Sequence, residues 1–488
     1  MDSSKENDQK LNEQQDHKSA STLRNRKTTV EDIEDDSDSS PVATTTATSI
    51  SSSVVASTSK SKVAKDDSNE KPKLTRPARR NAPPPKKNRL KNFFVSLLVA
   101  STGVVIKSAY DKFVFKNRDI SIDQTIGLQG NCYKSAFIPG PASIEISDHD
   151  RLAFVSSDDR SWQKDSYYFH RPSSKTAVNG GIYTLSLDTK NGTPKEVQLK
   201  GRSFDDFHPA GMSLYDYQDP QTKAWKSRLF VINHSHKGDA VELFDYSSGS
   251  NVLTHVKTVE SSLFVTPKDI VAVDIDRFYL TNHHGTAIKY GRIVEDVAGV
   301  TFGGVVYHNG KDTVTALSRL ANPNGIALSP DRSQIYVSSF IEKVVHVYNT
   351  TEDIVHGELV YDEDIWVGSN IDSLSVDKHT GDIYVASHPS YSTYLRHRLG
   401  YEPQSPSHVV KIEKLAPENY IPRKSDQPDY YFFPAPVLAP IKWEIKDLFY
   451  SNGEDISAST VATFWNNDLI LGSPSSHHLL RCSLRLDQ

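Results

Sequence analysis

Aromatic side chains are missing from the first 91 positions of this 488-residue chain. Those positions hold a Ser/Thr/Ala/Val run ("SPVATTTATSISSSVVASTSKSK"), an acidic patch ("EDIEDDSDSS") and a basic, Pro-rich stretch ("KPKLTRPARRNAPPPKKNRLK"). Such a segment has too little apolar surface to offset the entropy lost on ordering, which excludes a packed core there; residues 1–91 read as a disordered tail. Long hydrophobic runs are scarce too. "FFVSLLVASTGVVI" (Phe93–Ile106) stands between Lys91 and Lys107. Fourteen residues at about 1.5 Å rise span roughly 21 Å, short of a bilayer core of roughly 30 Å. The run spans if it extends to Tyr110 and Lys107 snorkels. It begins too far from the N-terminus for an ordinary cleaved signal peptide. The Lys/Arg excess on its N-terminal side assigns the tail to the cytosol. Residues 92–110 therefore read as a type II signal-anchor, with the C-terminal domain in the endoplasmic reticulum lumen or outside the cell. The other reading is a buried or interfacial helix packed on that domain.

Cysteine is nearly absent: Cys132 and Cys482 stand at the two ends of the remaining chain. They are either buried thiols or one bridge around a whole secretory domain. Closing so long a loop contributes up to about 5–6 kcal/mol in the chain-entropy account. Sequons at Asn191 ("NGT"), Asn233 ("NHS") and Asn349 ("NTT") fit a glycosylated secretory domain. No glycine-rich phosphate loop and no serine nucleophile elbow is found, which leaves nucleotide and serine-hydrolase chemistry without support. Nothing suggests nucleic-acid binding, and the net charge is -5.

What is present, from about Asn117 onward, is Tyr, Phe, Val and Ile in short runs separated by Gly/Pro/Asn/Asp clusters. A turn followed by an alternating apolar strand recurs six times: "GPASIEIS" (140–147), "HPAGMSLY" (208–215), "TPKDIVAV" (266–273), "NPNGIALS" (322–329), "NIDSLSVD" (370–377) and "SASTVATF" (457–464). A second strand follows most of them, such as "RLFVINH" or "SQIYVSSF", and sometimes a third. Six such units predict an all-β fold, a six-bladed β-propeller over residues 117–488. The long last interval contains the aromatic "DYYFFPAPVLAP" (429–440), which reads as an inserted loop or lid. First strands of blades face the central channel, so their starts line one mouth.

Taking the same position from each repeat collects Ala142 and Ser143, Ala210, Lys268 and Asp269, Asn324, Asp372 and Ser373, and Ser459 and Thr460. Calcium takes six to eight oxygens. Asp269, Asn324 and Asp372 are good candidates, Ser143 and Ser373 poor ones, and Lys268 opposes a divalent ion.

The region from Cys132 onward resembles the paraoxonase/arylesterase family. The matching stretches are "DIVAV", "NGI" with "LSPD", "SVDKHTGDIYV" with "HP", "LFVINH" with "VELF", and the terminal "STVAT", "DLILG" and "LRCSL". The resemblance implies a calcium-dependent propeller that hydrolyses aryl esters and lactones, with an N-terminal hydrophobic anchor and an end-to-end disulfide between Cys132 and Cys482. It implies one catalytic and one structural calcium. Of the catalytic ligands, Asn324 and Asp372 stand, while Ala142, Lys268 and Ser373 depart from the pattern. Of the structural ligands, Asp269 stands and Ser143 departs. The family's histidine pair maps to Ala210 and His234, and His388 matches another histidine near that site.

Two readings follow. One is a membrane-anchored hydrolase of aryl esters or lactones with an eroded calcium site, His234 as the catalytic histidine, and Lys268 as a replacement for the metal charge, pairing with Asp269 or Asp372. The other is a non-catalytic propeller that chaperones or binds a membrane protein, as the resemblance to anchored nematode members of the family suggests.

Overall fold

In the computed structural model the described residues are 131–160, 178–190, 192–298, 300–351, 357–421 and 440–484, with isolated helical positions between 96 and 107. The tail 1–91, most of the expected anchor 92–110, Asn191 and the aromatic insert lie outside them. Among the described residues no helix is long and apolar enough to cross a membrane.

The strands form six antiparallel-ladder sheets, five of four strands and one of five, the extra member being a parallel edge strand Gln198–Lys200. The six innermost strands are Pro141–Ser147, Pro209–Gln218, Pro267–Ala272, Pro323–Leu328, Asn370–Val376 and Val461–Trp465. Each begins at or within a few residues of a repeat motif read from the sequence. Neighbouring inner strands touch in a closed ring, first against second through to sixth against first. This is the six-bladed propeller expected.

Blade cores lie between adjacent sheets, and their residues come from the alternation in each strand. Phe230, Ile232, Val241 and Leu243 of one blade pack on Ile270, Ala272, Phe278 and Leu280 of the next, all essentially sealed from water. At about 25 cal/mol per Å² of apolar surface, such layers drive the fold. The ring is closed by the short strand Asn131–Lys134, which pairs with Leu480–Ser483 beside the last blade. Within that ladder Cys132 and Cys482 stand opposite each other and form a disulfide.

Two helices were not legible from the strand pattern. Helix α1 (Lys289–Ala298) and helix α2 (Tyr391–Arg398) each follow the second strand of a blade at the mouth where the inner strands start. Ser390 caps α2, its side chain accepting from the Thr393 amide, and Arg396, His397 and Arg398 fill its last turn, where the helix dipole favours cations.

Candidate active site

Five of the six inner strands break register at the mouth, between Pro141 and Ser143, Pro209 and Met212, Pro267 and Ile270, Pro323 and Ile326, and Ile371 and Leu374. A bulge leaves residues off the ladder and re-aims them. The residues so released are the ones the repeats aligned: Ala142, Ala210, Lys268, Asp269, Asn324, Asp372 and Ser373. All seven line one cavity of ≈ 130 Å³ in the channel mouth. The strands approach closely there. A Cβ on Gly211 would lie 2.5 Å from the Lys268 carbonyl oxygen, and one on Gly325 2.6 Å from the Leu374 nitrogen, so glycine is required at both.

Asp269 is buried at the base. Its carboxylate accepts from the Ile270 amide at 3.0 Å, the Ile326 amide at 3.3 Å and the Ser373 hydroxyl at 2.8 Å. Burial nevertheless pushes its pKa up to about 7. Asp372 accepts from the Asn324 side-chain amide at 2.9 Å and from His388 Nε2 at 3.2 Å. Burial works to raise its pKa, but His388, Lys268 and Arg398 together hold it below the usual carboxylate range. The His388 ring stacks on Tyr394 of α2 at 4.0 Å.

Lys268 departs from expectation. The sequence reading paired it directly with Asp269 or Asp372. Among the described residues it forms no hydrogen bond or ion pair; Asp269 is already committed to Ser373 and two backbone amides, and Asp372 to Asn324 and His388. Its side chain reaches the water of the channel while protein surrounds it. Desolvation lowers its pKa most; Asp372 and Asp269 raise it, and Arg160 and Arg398 lower it again. Arg160, just beyond the strand Leu152–Ser157, and Arg398, at the end of α2, line the same cavity. Sequence reasoning missed both, because they come from a loop and a helix outside the repeated motif.

His234 is buried and lines the cavity. It sits directly opposite Asp239 in a tight hairpin, with Nδ1 2.8 Å from Asp239 Oδ1. An ionised carboxylate only accepts, so Nδ1 carries the proton and Nε2 of the neutral ring is the basic nitrogen. Asp239 was also missed, although the turn "HSHKGD" between two strands was a signal for the pairing. His208, two residues before Ala210, is buried against Asp158 with Nδ1 at 3.1 Å. His283 and His284 have separate partners, the Pro323 carbonyl at 3.3 Å and Asp296 at 3.1 Å. Among the described residues no three His, Cys, Asp or Glu side chains converge as metal ligands would.

The sequon residues fall differently. Asn349 is exposed at the end of a strand. Asn233 is buried, its side-chain oxygen accepting the His208 amide at 2.9 Å, so the folded domain withholds it from glycosylation.

Comparison with known proteins finds relatives of this chain. The family model described as Arylesterase matches residues 169–423. The chain is 29% identical over 360 residues to serum paraoxonase/arylesterase 2 of Gallus gallus, covering 72% of this chain and 89% of that protein. It is 28% identical over 310 residues to serum paraoxonase/arylesterase 2 of Homo sapiens, covering 62% and 77%. Among solved structures it is similar to a gluconolactonase from Xanthomonas campestris at 13% identity and a TM-score of 0.41, covering 75% of this chain and 94% of that one.

Proposed function

This chain belongs to the arylesterase family, and on that premise we propose that it hydrolyses small ester or lactone substrates in the mouth of its propeller channel. The observation that carries the reading is His234 on the wall of that cavity, with its Nδ1 2.8 Å from Asp239 behind it. A neutral imidazole oriented by a carboxylate is suited to take a proton from water as the water attacks a carbonyl carbon. Asp239 keeps the ring in one tautomer and stabilises the imidazolium that forms. Collapse of the tetrahedral adduct breaks the bond to the leaving alkoxide, which takes the proton from His234 and departs as the alcohol.

The family implies calcium as the electrophile, and the residues present do not fit an ordinary calcium centre. Ala142 offers no side-chain oxygen, and Lys268 brings a cation into the cavity. Asn324 and Asp372 are hydrogen-bonded to one another, and Ser373 donates to Asp269. Two of the side-chain oxygens that the family supplies are thus replaced, and a cation stands among those that remain, which disfavours a divalent ion. No step is therefore routed through a metal. Among the positive charges that line the cavity, the Lys268 ammonium stands at a family ligand position and is available to a developing oxyanion, a role general to preorganised cations at acyl-transfer sites.

The reading includes a single-pass anchor over residues 92–110 and a propeller in the endoplasmic reticulum lumen or outside the cell, both resting on the apolar run and the basic residues before it. A second reading, a non-catalytic propeller that chaperones or binds a membrane protein, is favoured by alanine at 142 and 210, where the family resemblance expects a carboxylate and an imidazole. Aryl-ester and lactone turnover by the full chain, with and without chelator, separates the two. Turnover that resists chelator and is lost in His234→Gln supports the hydrolase. Absence of turnover on both substrate classes supports the second reading.

A further inference from the structure

We propose that the cavity between Lys268, Arg160 and Arg398 is a binding site for a small oxyanion, a carboxylate or phosphate group, held where the family would hold calcium. The inference deepens the hydrolase reading by naming the charge class of the ligand, and it rests on that reading only in taking the channel mouth as the ligand site.

Four cationic side chains line this cavity, Arg292 of α1 among them, and three of them, from three parts of the chain, act on one another. Lys268 comes from the bulge of the third inner strand, Arg160 from the loop after Leu152–Ser157, and Arg398 from the last turn of α2. Their charges reach one another, since both guanidinium groups disfavour the Lys268 ammonium, against a larger favourable effect of Asp372. Protein cations are brought this close at a cost in mutual repulsion, which a bound anion offsets.

The hydrogen-bonding capacity is also incomplete. Lys268 has three N–H donors and makes no hydrogen bond or ion pair among the described residues. The Arg160 Nε is sealed from water and has no hydrogen-bond partner among the described residues, and its terminal nitrogen lies only at the limit of reach, 3.5 Å from the Pro209 carbonyl oxygen. A buried donor left without an acceptor costs about 1–3 kcal/mol, more for a charged group. An oxyanion supplies several acceptor lone pairs at once, and guanidinium forks match the geometry of carboxylate and phosphate.

The acids on the wall do not replace such a ligand. Asp372 is engaged by Asn324 and His388 on separate oxygens, and Asp269 is engaged at the base by Ser373 and two backbone amides. The cavity volume of ≈ 130 Å³ suits one small anion. Ester and lactone hydrolysis generates a carboxylate, so a carboxylate product or a substrate bearing one has the matching charge.

The test is thermal unfolding of the full chain with inorganic phosphate and, in a separate arm, succinate, each against sodium chloride at matched ionic strength. The expected result is saturable stabilisation by at least one probe, reaching a shift of several degrees, with the apparent affinity falling at least tenfold in Lys268→Gln and in Arg160→Gln. The phosphate arm tells a phosphate site from a carboxylate site. Arg160→Lys, which keeps the charge, should retain most of the affinity, and it serves as the readout if Arg160→Gln does not fold. No stabilisation beyond chloride by either probe, or unchanged affinity in the Lys268 and Arg160 variants, overturns the proposal. The measurement needs no turnover. Saturable binding without esterase activity would remove the hydrolase reading and leave the anion site standing, while turnover without anion binding would do the reverse.

Discussion

Asn324 donates its side-chain amide to a carboxylate oxygen of Asp372 at 2.9 Å, joining the fourth and fifth inner strands across the channel mouth. These are the two catalytic-calcium ligands that the family resemblance leaves in this chain. Here they are bonded to each other, with His388 on the second Asp372 oxygen. The proposed account follows from that bond: the ligand set is knitted together by protein hydrogen bonds, and the positive charge in the cavity comes from side chains.

Turnover should depend on His234. His234→Gln removes the basic nitrogen and is expected to lower kcat on aryl esters or lactones by roughly 10²–10⁴-fold, the usual contribution of a general base. Asp239→Asn should lower it less, by disturbing the tautomer while leaving the ring. A steady-state comparison with unchanged melting curves checks this, and equal activity in wild type and His234→Gln would remove His234 from the mechanism.

Stability should fall as pH rises through neutrality. Burial pushes Glu145, on the first inner strand, up to about 8, against the coulombic pull of Lys378 and a hydrogen bond from the Leu214 amide. Between its unfolded value of about 4.5 and about 8, the folded chain holds a proton that the unfolded chain has released. The stability present below pH 4.5 is therefore lost progressively up to pH 8. Asp269 acts in the same direction up to about 7. Glu145→Gln should flatten this slope and raise stability at pH 8 by a few kcal/mol. Denaturant midpoints at pH 5, 6.5 and 8 test it; identical slopes in the two proteins would refute the assignment.

The closing bridge should stabilise strongly without defining the fold. Cys132→Ser is expected to cost about 2–5 kcal/mol, because the denatured chain regains the freedom of a very long loop. The ladder of Asn131–Lys134 on Leu480–Ser483 remains to close the ring. Circular dichroism should be native and the unfolding midpoint lowered. An unchanged midpoint under non-reducing conditions would contradict the prediction.

The ring of inner strands was legible because each starts with a turn of Pro, Asn or small residues and then alternates. "NPNGIALS" became the strand Pro323–Leu328, and the Cys132–Cys482 bridge was one of two readings that position left open and the one that the family resemblance implied. The chemistry of the mouth was less legible, for a geometric reason. A motif repeat aligns only residues of the inner strands, so Ala142, Lys268, Asn324 and Asp372 were collected while Arg160, Asp239 and Arg398 were not. The direct Lys268–aspartate pair is absent among the described residues: Asn324, His388, Ser373 and the backbone donate to the two carboxylates, and the Lys268 side chain reaches the channel water. Charge complementarity in the sequence could not reveal those hydrogen bonds. Helix α2 escaped notice because eight residues between a strand and a glycine carry too short a periodic signal.

The most direct measurement is the calcium content of the purified full chain after exhaustive dialysis, taken with its melting temperature in millimolar calcium and in chelator. The account predicts calcium well below one ion per chain and the same melting temperature in both solutions. Calcium near one or two ions per chain, with a melting temperature that drops in chelator, would contradict it and restore an ordinary calcium centre built on Asn324, Asp372 and Asp269.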